Sequence, residues 1–276
     1  MSTKGSDKLE IKSSLNFYYD SQDSQTFGIS NVSVSTGMYE EPFVAPKEII
    51  KQEIRGRTKP YHSGIKRSSI ILNLSFAFNE TWNNQKMRDV KNWLDQDFFK
   101  PLMIPADPND STDFNRVYYC MLTSDSSKLI HNGLMQGYVD GLTFECNDSY
   151  YYSEPQLISR NLFNNPSPGG TELIINNTGD TPCYPLITIT KSIEDGTISI
   201  FNRSNTNKEM QITGLSNGEI TTIDCEEQII DSIYNNQNIY RYDSHNGYFL
   251  ELLTGNNNLL IKGKCEITIQ SEFKYK

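Results

Sequence analysis

The sequence predicts a mainly β fold in two domains, with one packed helix in the first. Three observations carry that expectation. Apolar residues alternate with polar ones in short runs along most of the chain. Only one window repeats at helical spacing. Near residues 153–170 a cluster of Pro, Asn, Gly and Ser separates two halves of different texture. The chain has 276 residues, enough for one large or two ordinary domains, and its 36% hydrophobic and 21% charged content is globular.

The elements follow in order. Residues 68–78, "SSIILNLSFAF", set Ile70, Leu72, Leu74, Phe76 and Phe78 on one face, so a half-buried strand is expected. The next stretch, "NETWNNQKMRDVKNWLDQDFF", places Met87, Val90, Trp93 and Leu94 on one side of a helix, with Asn79 or Thr81 as the expected cap. Strands are then expected at "RVYYCMLT" (116–123) and at residues 137–146. The second strand runs into Tyr150, Tyr151 and Tyr152 just before Pro155. The first domain is therefore drawn as 1–158.

Residues 159–276 form the second domain. Its runs "TELIINNTG", "YPLITITK", "GTISIFN", "EMQITG", "EITTID", "YFLELLTG" and "CEITIQSEFKY" read as short strands between Asn, Gly, Asp and Ser turns. That spacing predicts a β-sandwich. A weak helical signal stands near Gln228–Tyr234.

Composition narrows the function classes. Net charge is −9, and neither half is basic, which argues against holding nucleic acid by charge. The polar N-terminus reads as no secretory signal, and no run is long enough for a membrane-spanning helix. Cys120, Cys146, Cys183, Cys225 and Cys265 lack metal or redox spacing, Cys120, Cys146 and Cys265 lie in apolar-alternating runs as small core residues, and free thiols fit a reducing compartment. His62, His131 and His245 are scattered. Asp107, Asp110 and Asp113 miss the EF-hand pattern, so that loop reads as solvated. No catalytic elbow, P-loop or dinucleotide fingerprint occurs, so no enzyme activity and no cofactor are expected.

One segment departs from the acidic background. "KQEIRGRTKPYHSGIKR" (51–67) gathers Arg55, Arg57, Lys59, Tyr61, Lys66 and Arg67. A solvated loop and a protein–protein contact both fit it, since Arg and Tyr are favoured at interfaces.

Several stretches together resemble the distal tail protein (Dit) family of long-tailed, non-contractile bacteriophages. They are "DSQTFGISNVSVS", "PKEIIKQEIRGRTKPYHSGIKRSSIILNLSFAF", "VKNWL", "FFKPL", "RVYYCML" and "LIHNGLMQGYVDGLTFECNDSYYYS". The likeness spans nearly the whole first half. It is looser in the second, through "NNTGDTPCYPLITI", "GEITTID" and "LLTGNNNLLIKG".

The resemblance implies a virion structural protein, assembled in the host cytoplasm and placed at the distal end of the tail. It implies a homo-hexameric ring built by the N-terminal domain, with a galectin-like C-terminal sandwich projecting outward. The ring would join the tail tube protein to the tail-associated hub protein and carry receptor-binding proteins. DNA would pass its lumen unbound, which the acidic balance suits. Within that picture Arg55–Arg67 is expected to be an inter-subunit or tube contact. The run Tyr150–Tyr152 is expected to seal the two domains. The alternative is a carbohydrate-binding module acting on host cell-wall glycan, with Tyr234, Tyr240, Tyr242 and Tyr248 stacking on sugar rings. A glycoside hydrolase of sandwich fold stands third and would need a paired-carboxylate cleft.

Overall fold

The computed structural model describes residues 16–33, 44–106, 111, 113–123, 126–133, 136–234 and 240–276. It is mainly β and divides into two compact units, Met1–Tyr152 with Lys276, and Ser153–Tyr275. The expected boundary at 158/159 falls later than this division. The reason is the strand Gln156–Asn161, which pairs along its whole length with Cys265–Ser271 in the second unit's sheet.

The first unit is built on one antiparallel sheet. Its order is Gln22–Asp23, Tyr18–Tyr19, Lys100–Ile104, Arg116–Leu122, Gly137–Cys146, Ile71–Phe78 and Ile29–Asn31. Leu72, Phe76, Leu142 and Phe144 are buried, as the alternation in 68–78 and 137–146 requires. Among the described residues the only α-helix is Asn84–Leu94, and its Met87, Val90, Trp93 and Leu94 are buried as expected. The cap is Asn83, not Asn79 or Thr81. Its side chain accepts from the Lys86 amide at 2.8 Å, satisfying one of the open first-turn donors.

Trp93 centres an aromatic core. Its ring stacks on Phe27 at 4.2 Å and on Phe17 at 5.7 Å, and its indole N–H donates to the Tyr19 carbonyl at 2.8 Å. The helix is thus fastened to the N-terminal strand residues by shape and by one buried hydrogen bond.

The second unit is a sandwich of two antiparallel sheets. One runs Gln156–Asn161, Cys265–Ser271, Leu186–Lys191, Ile220–Asp224, Ile229–Ser232. The other runs Thr171–Asn177, Gly255–Lys262, Gly196–Asn202, Lys208–Leu215. Its core is aliphatic, including Ile187, Ile189, Ile198, Ile200, Ile223, Leu259 and Ile267.

Two expectations change here. Gln228–Tyr234 is not helical, because Ile229–Ser232 is an edge strand on Ile220–Asp224. "YFLELLTG" is not a strand either. Its carbonyls are taken by buried asparagine side chains instead of by a neighbouring strand. Asn202 donates to the Glu251 carbonyl at 2.8 Å, Asn177 to Leu252 at 3.1 Å, and Asn257 to Leu253 at 2.6 Å. Only Leu252 makes a bridge, with Cys183.

A second buried polar group sits at the other sheet. Glu219 is fully buried and accepts from Arg241 Nε at 2.6 Å, Ser232 Oγ at 2.7 Å and the Ser216 amide at 2.9 Å, and also pairs with Arg241 Nη2. Burial pushes its pKa up, but the hydrogen bonds from Arg241, Ser216 and Ser232 outweigh it and hold the group below the ordinary carboxylate range.

Candidate functional site

The segment expected as a contact loop is largely a β-hairpin. Lys47–Gln52 pairs antiparallel with Tyr61–Arg67, with a bulge between Ile50 and Lys51. At its tip the Arg57 amide donates to the Ile54 carbonyl at 3.0 Å, closing a turn in which Gly56 has φ 88°. A positive φ at that position suits glycine, which has no Cβ to clash. At its base Ser68 N–H donates to Pro46 O at 2.9 Å. The sequence reading missed the strands because the segment is charged on both faces, so no two-residue apolar period appears.

This hairpin forms its own two-stranded sheet. All six residues of its first strand are exposed, and so is every residue of the second except the partly covered Gly64. Ile49, Ile50, Ile54, Tyr61 and Ile65 each keep 42% or more of their surface exposed. Ile49 and Ile65 are directly opposite one another, so their side chains share one face. An isolated two-stranded hairpin is marginal in water, and exposed apolar side chains in one place mark an interaction site.

Charge sharpens the picture. Residues 47–67 carry seven Lys and Arg against two Glu, in a chain of net −9. Arg57 lies over the Tyr61 ring at 4.6 Å and donates to its hydroxyl. Arg67 reaches the Tyr150 ring at 5.9 Å. Lys47 and Arg67 stand directly opposite each other, a like-charge pair that disfavours the isolated hairpin. Arg55, Lys59 and Lys66 are exposed, and Lys66 faces Glu48 across the ladder.

The tyrosine run lies at the end of the first unit. Tyr151 packs near Tyr118 at 5.7 Å and Phe114 at 6.2 Å. Tyr152 meets Tyr119 edge-on at 5.4 Å, and its hydroxyl donates to Asp148 Oδ2 at 2.7 Å. Neighbouring tyrosines thus engage neighbouring residues of the Arg116–Leu122 strand, as alternation across a strand demands.

The sandwich tyrosines differ in their surroundings. The Tyr242 hydroxyl accepts from the Ile230 amide at 3.0 Å and donates to Gln228 O at 3.3 Å. The Tyr248 ring is half-buried beneath Lys208, 5.3 Å away. Tyr240 is exposed. In the acidic loop, Asp107 and Asp110 lie outside the described residues. No helix among the described residues is long and apolar enough to cross a membrane.

Comparison with known proteins places this architecture. Residues 12–148 match a family model described as a phage tail protein N-terminal domain, and residues 150–271 match its companion, a phage tail C-terminal domain. The SPbeta prophage-derived protein YomH of Bacillus subtilis (strain 168) is 27% identical over 265 residues, covering 96% of this chain and 99% of that one. Among solved structures, the Dit protein (gp 19.1) of phage SPP1 is similar at TM-score 0.63 and 15% identity, covering 94% of this chain and 98% of that one. That protein is described as a paradigm of hub adsorption apparatus in phages infecting Gram-positive hosts. A chain of the phage p2 baseplate in its activated conformation is similar at TM-score 0.54 and 10% identity, covering 92% and 97%. The resemblance seen in the sequence holds at the level of fold over both units.

Proposed function

This chain belongs to the phage tail protein family, and we propose that it is the ring-forming hub at the distal end of the tail. In this reading copies of the first unit close a hexameric ring between the tail tube protein and the tail-associated hub protein. The ring leaves a channel through which DNA passes, and receptor-binding proteins attach to it on the virion. The role is structural, with no reaction assigned.

The observation that carries the reading is the free-standing hairpin of residues 47–67. It is cationic on an acidic chain, it exposes isoleucines, and it opposes Lys47 to Arg67. A neighbouring copy would relieve all three by supplying carboxylates and apolar surface. Closed cyclic symmetry would then give every hairpin the same partner. Arg55, Arg57, Lys59, Tyr61, Lys66 and Arg67 are the contact residues of this proposal.

The test is assembly. Full-length protein is examined by native mass spectrometry and electron microscopy, alone and with its neighbouring tail proteins. Rings are expected with the natural sequence. Arg55→Glu with Arg57→Glu should abolish them. Normal rings from the doubly changed protein would refute the hairpin's role, and labelling of the protein away from the tail tip would refute the location.

The division of labour is part of the same proposal. The first unit builds the ring, the second projects from it, and Tyr150–Tyr152 seal the junction at which Ser153 begins the second unit. A chain ending at Tyr152 should form rings, and a chain starting at Ser153 should fold as a monomer. The second cut keeps Gln156–Asn161 with its sheet. A glycan-binding role for the sandwich is supported by the exposed rings of Tyr240 and Tyr242. Binding of residues 153–276 to host cell-wall glycan, lost on Tyr240→Ala, is its test.

A further inference from the structure

The five cysteines are free and buried, and two of them stand in a special relation. Cys120 and Cys146 face each other across the antiparallel pair Arg116–Leu122 and Gly137–Cys146. The hydrogen bonds flanking them define the kind of pair. Thr123 N–H donates to Thr143 O at 2.8 Å, and Asn147 N–H donates to Tyr119 O at 2.9 Å. Those are the bonded positions of this ladder, so the positions between them alternate and Cys120–Cys146 is a non-bonded pair. The other edge of the strand agrees, because the Cys146 amide points away and donates to Ile70 O at 2.9 Å.

In a non-bonded antiparallel pair the Cα atoms lie about 4.5 Å apart, with both side chains on one face. Disulfides span Cα separations of about 4.4–6.8 Å. A hydrogen bond to Cys146, together with burial, pushes the Cys120 thiol up, in keeping with two side chains opposed on one face. Among the described residues no other two cysteines are opposed across a ladder, although Cys225 lies within electrostatic reach of Cys183. Cys183 faces Leu252, the Cys225 amide bonds to Pro185 O, and Cys265 faces Lys191.

We propose that Cys120 and Cys146 are a latent cross-strand disulfide, reduced as the chain folds and closed when the protein meets an oxidising thiol–disulfide pool. The chemistry balances with a small-molecule disulfide as oxidant. One cysteine thiolate attacks a sulfur of the oxidant, forming a mixed disulfide and releasing one small thiol. The second cysteine thiolate attacks the mixed disulfide, forms the Cys120–Cys146 bond and releases the second small thiol. Two cysteine protons end on the released thiols, and two electrons pass to the oxidant. Burial makes the first step wait on local opening. Cys146 is the last residue of its strand, and the bond just beyond it, from Asn147 N–H to Tyr119 O, has to open first. Closure ties two central strands of the first unit's sheet and removes freedom from its unfolded chain.

Full-length protein is incubated with oxidised glutathione, in urea below the unfolding midpoint so that strands open. It is then unfolded, alkylated and weighed. The reduced protein should take up five alkyl groups and the oxidised protein three. One linked peptide pair should contain Cys120 and Cys146. The first unit's thermal midpoint should rise by about 5 °C or more and return on reduction. A protein with Cys183, Cys225 and Cys265 all changed to Ala should behave the same way. Five alkylated thiols after oxidation, a glutathione adduct that persists at either cysteine, or a bond to any other cysteine would each overturn the proposal.

Discussion

The sandwich and the hairpin treat their polar groups in opposite ways. In the second unit Asn177, Asn202 and Asn257 are buried, and each spends its amide on a carbonyl of the 251–255 segment. Glu219 and Arg241 spend their charges on each other. In the hairpin of residues 47–67 the cations and isoleucines are exposed and spend little on the fold. A region whose groups are consumed internally is built to stand alone. One whose groups are left over is, in the proposal above, completed by a neighbouring copy.

That contrast can be broken most sharply at the buried ion pair. Arg241→Met should strand an uncompensated carboxylate and cost the second unit about 3–5 kcal/mol, measured by urea unfolding. A loss under about 1 kcal/mol would mean that water reaches Glu219 and the site is not sealed. The same pair sets a pH response. Because the folded carboxyl is held below its ordinary value, its contribution is complete at neutral pH and fades as pH falls through and below the ordinary carboxylate range near ~4. Glu219→Gln should flatten that part of the stability–pH curve, and an unchanged acid limb would count against the pair.

Next comes Asn202→Leu, which leaves the Glu251 carbonyl without its 2.8 Å donor and Asn257 Oδ1 without its 2.9 Å donor. The expected cost is about 2–3 kcal/mol, since the Glu251 carbonyl loses that donor while Asn257 Oδ1 keeps only the Leu253 amide. A neutral result would show that the 251–255 segment rearranges freely.

Asn83→Ala is a control within the first unit. Losing the cap at the start of Asn84–Leu94 should cost about 1 kcal/mol, read by thermal unfolding. It shows whether the first unit responds normally to a change its own fold uses. The smallest effect is expected in the hairpin itself. Arg55→Glu with Arg57→Glu should leave the monomer's stability within about 0.5 kcal/mol while abolishing assembly. A large loss of monomer stability would erase the distinction between the two regions.

Legibility followed burial. The strand at 71–78 and the helix bearing Met87, Val90 and Trp93 were readable because one buried face writes a period into the sequence. The hairpin was not readable as strands, since two exposed faces leave no period, although its charge set it apart from the acidic background. The segment "YFLELLTG" misled for the reverse reason. Its apolar residues are buried, but asparagine side chains replace the ladder that would have made it a strand. The helix cap moved to Asn83 because several polar residues precede the helix and only the path of the chain selects among them.

By itself, then, the sequence determined the mainly β class, the one helix, the change of texture between the halves and the cationic stretch in an acidic protein. Each depends on composition or on periods only a few residues long. The tertiary structure alone decided which strands pair, that Gln156–Asn161 belongs with the sandwich, that residues 47–67 stand uncovered and that Cys120 faces Cys146. Those facts depend on register between segments far apart in the chain. A register is chosen by the collective burial of whole faces, and no local pattern records its outcome.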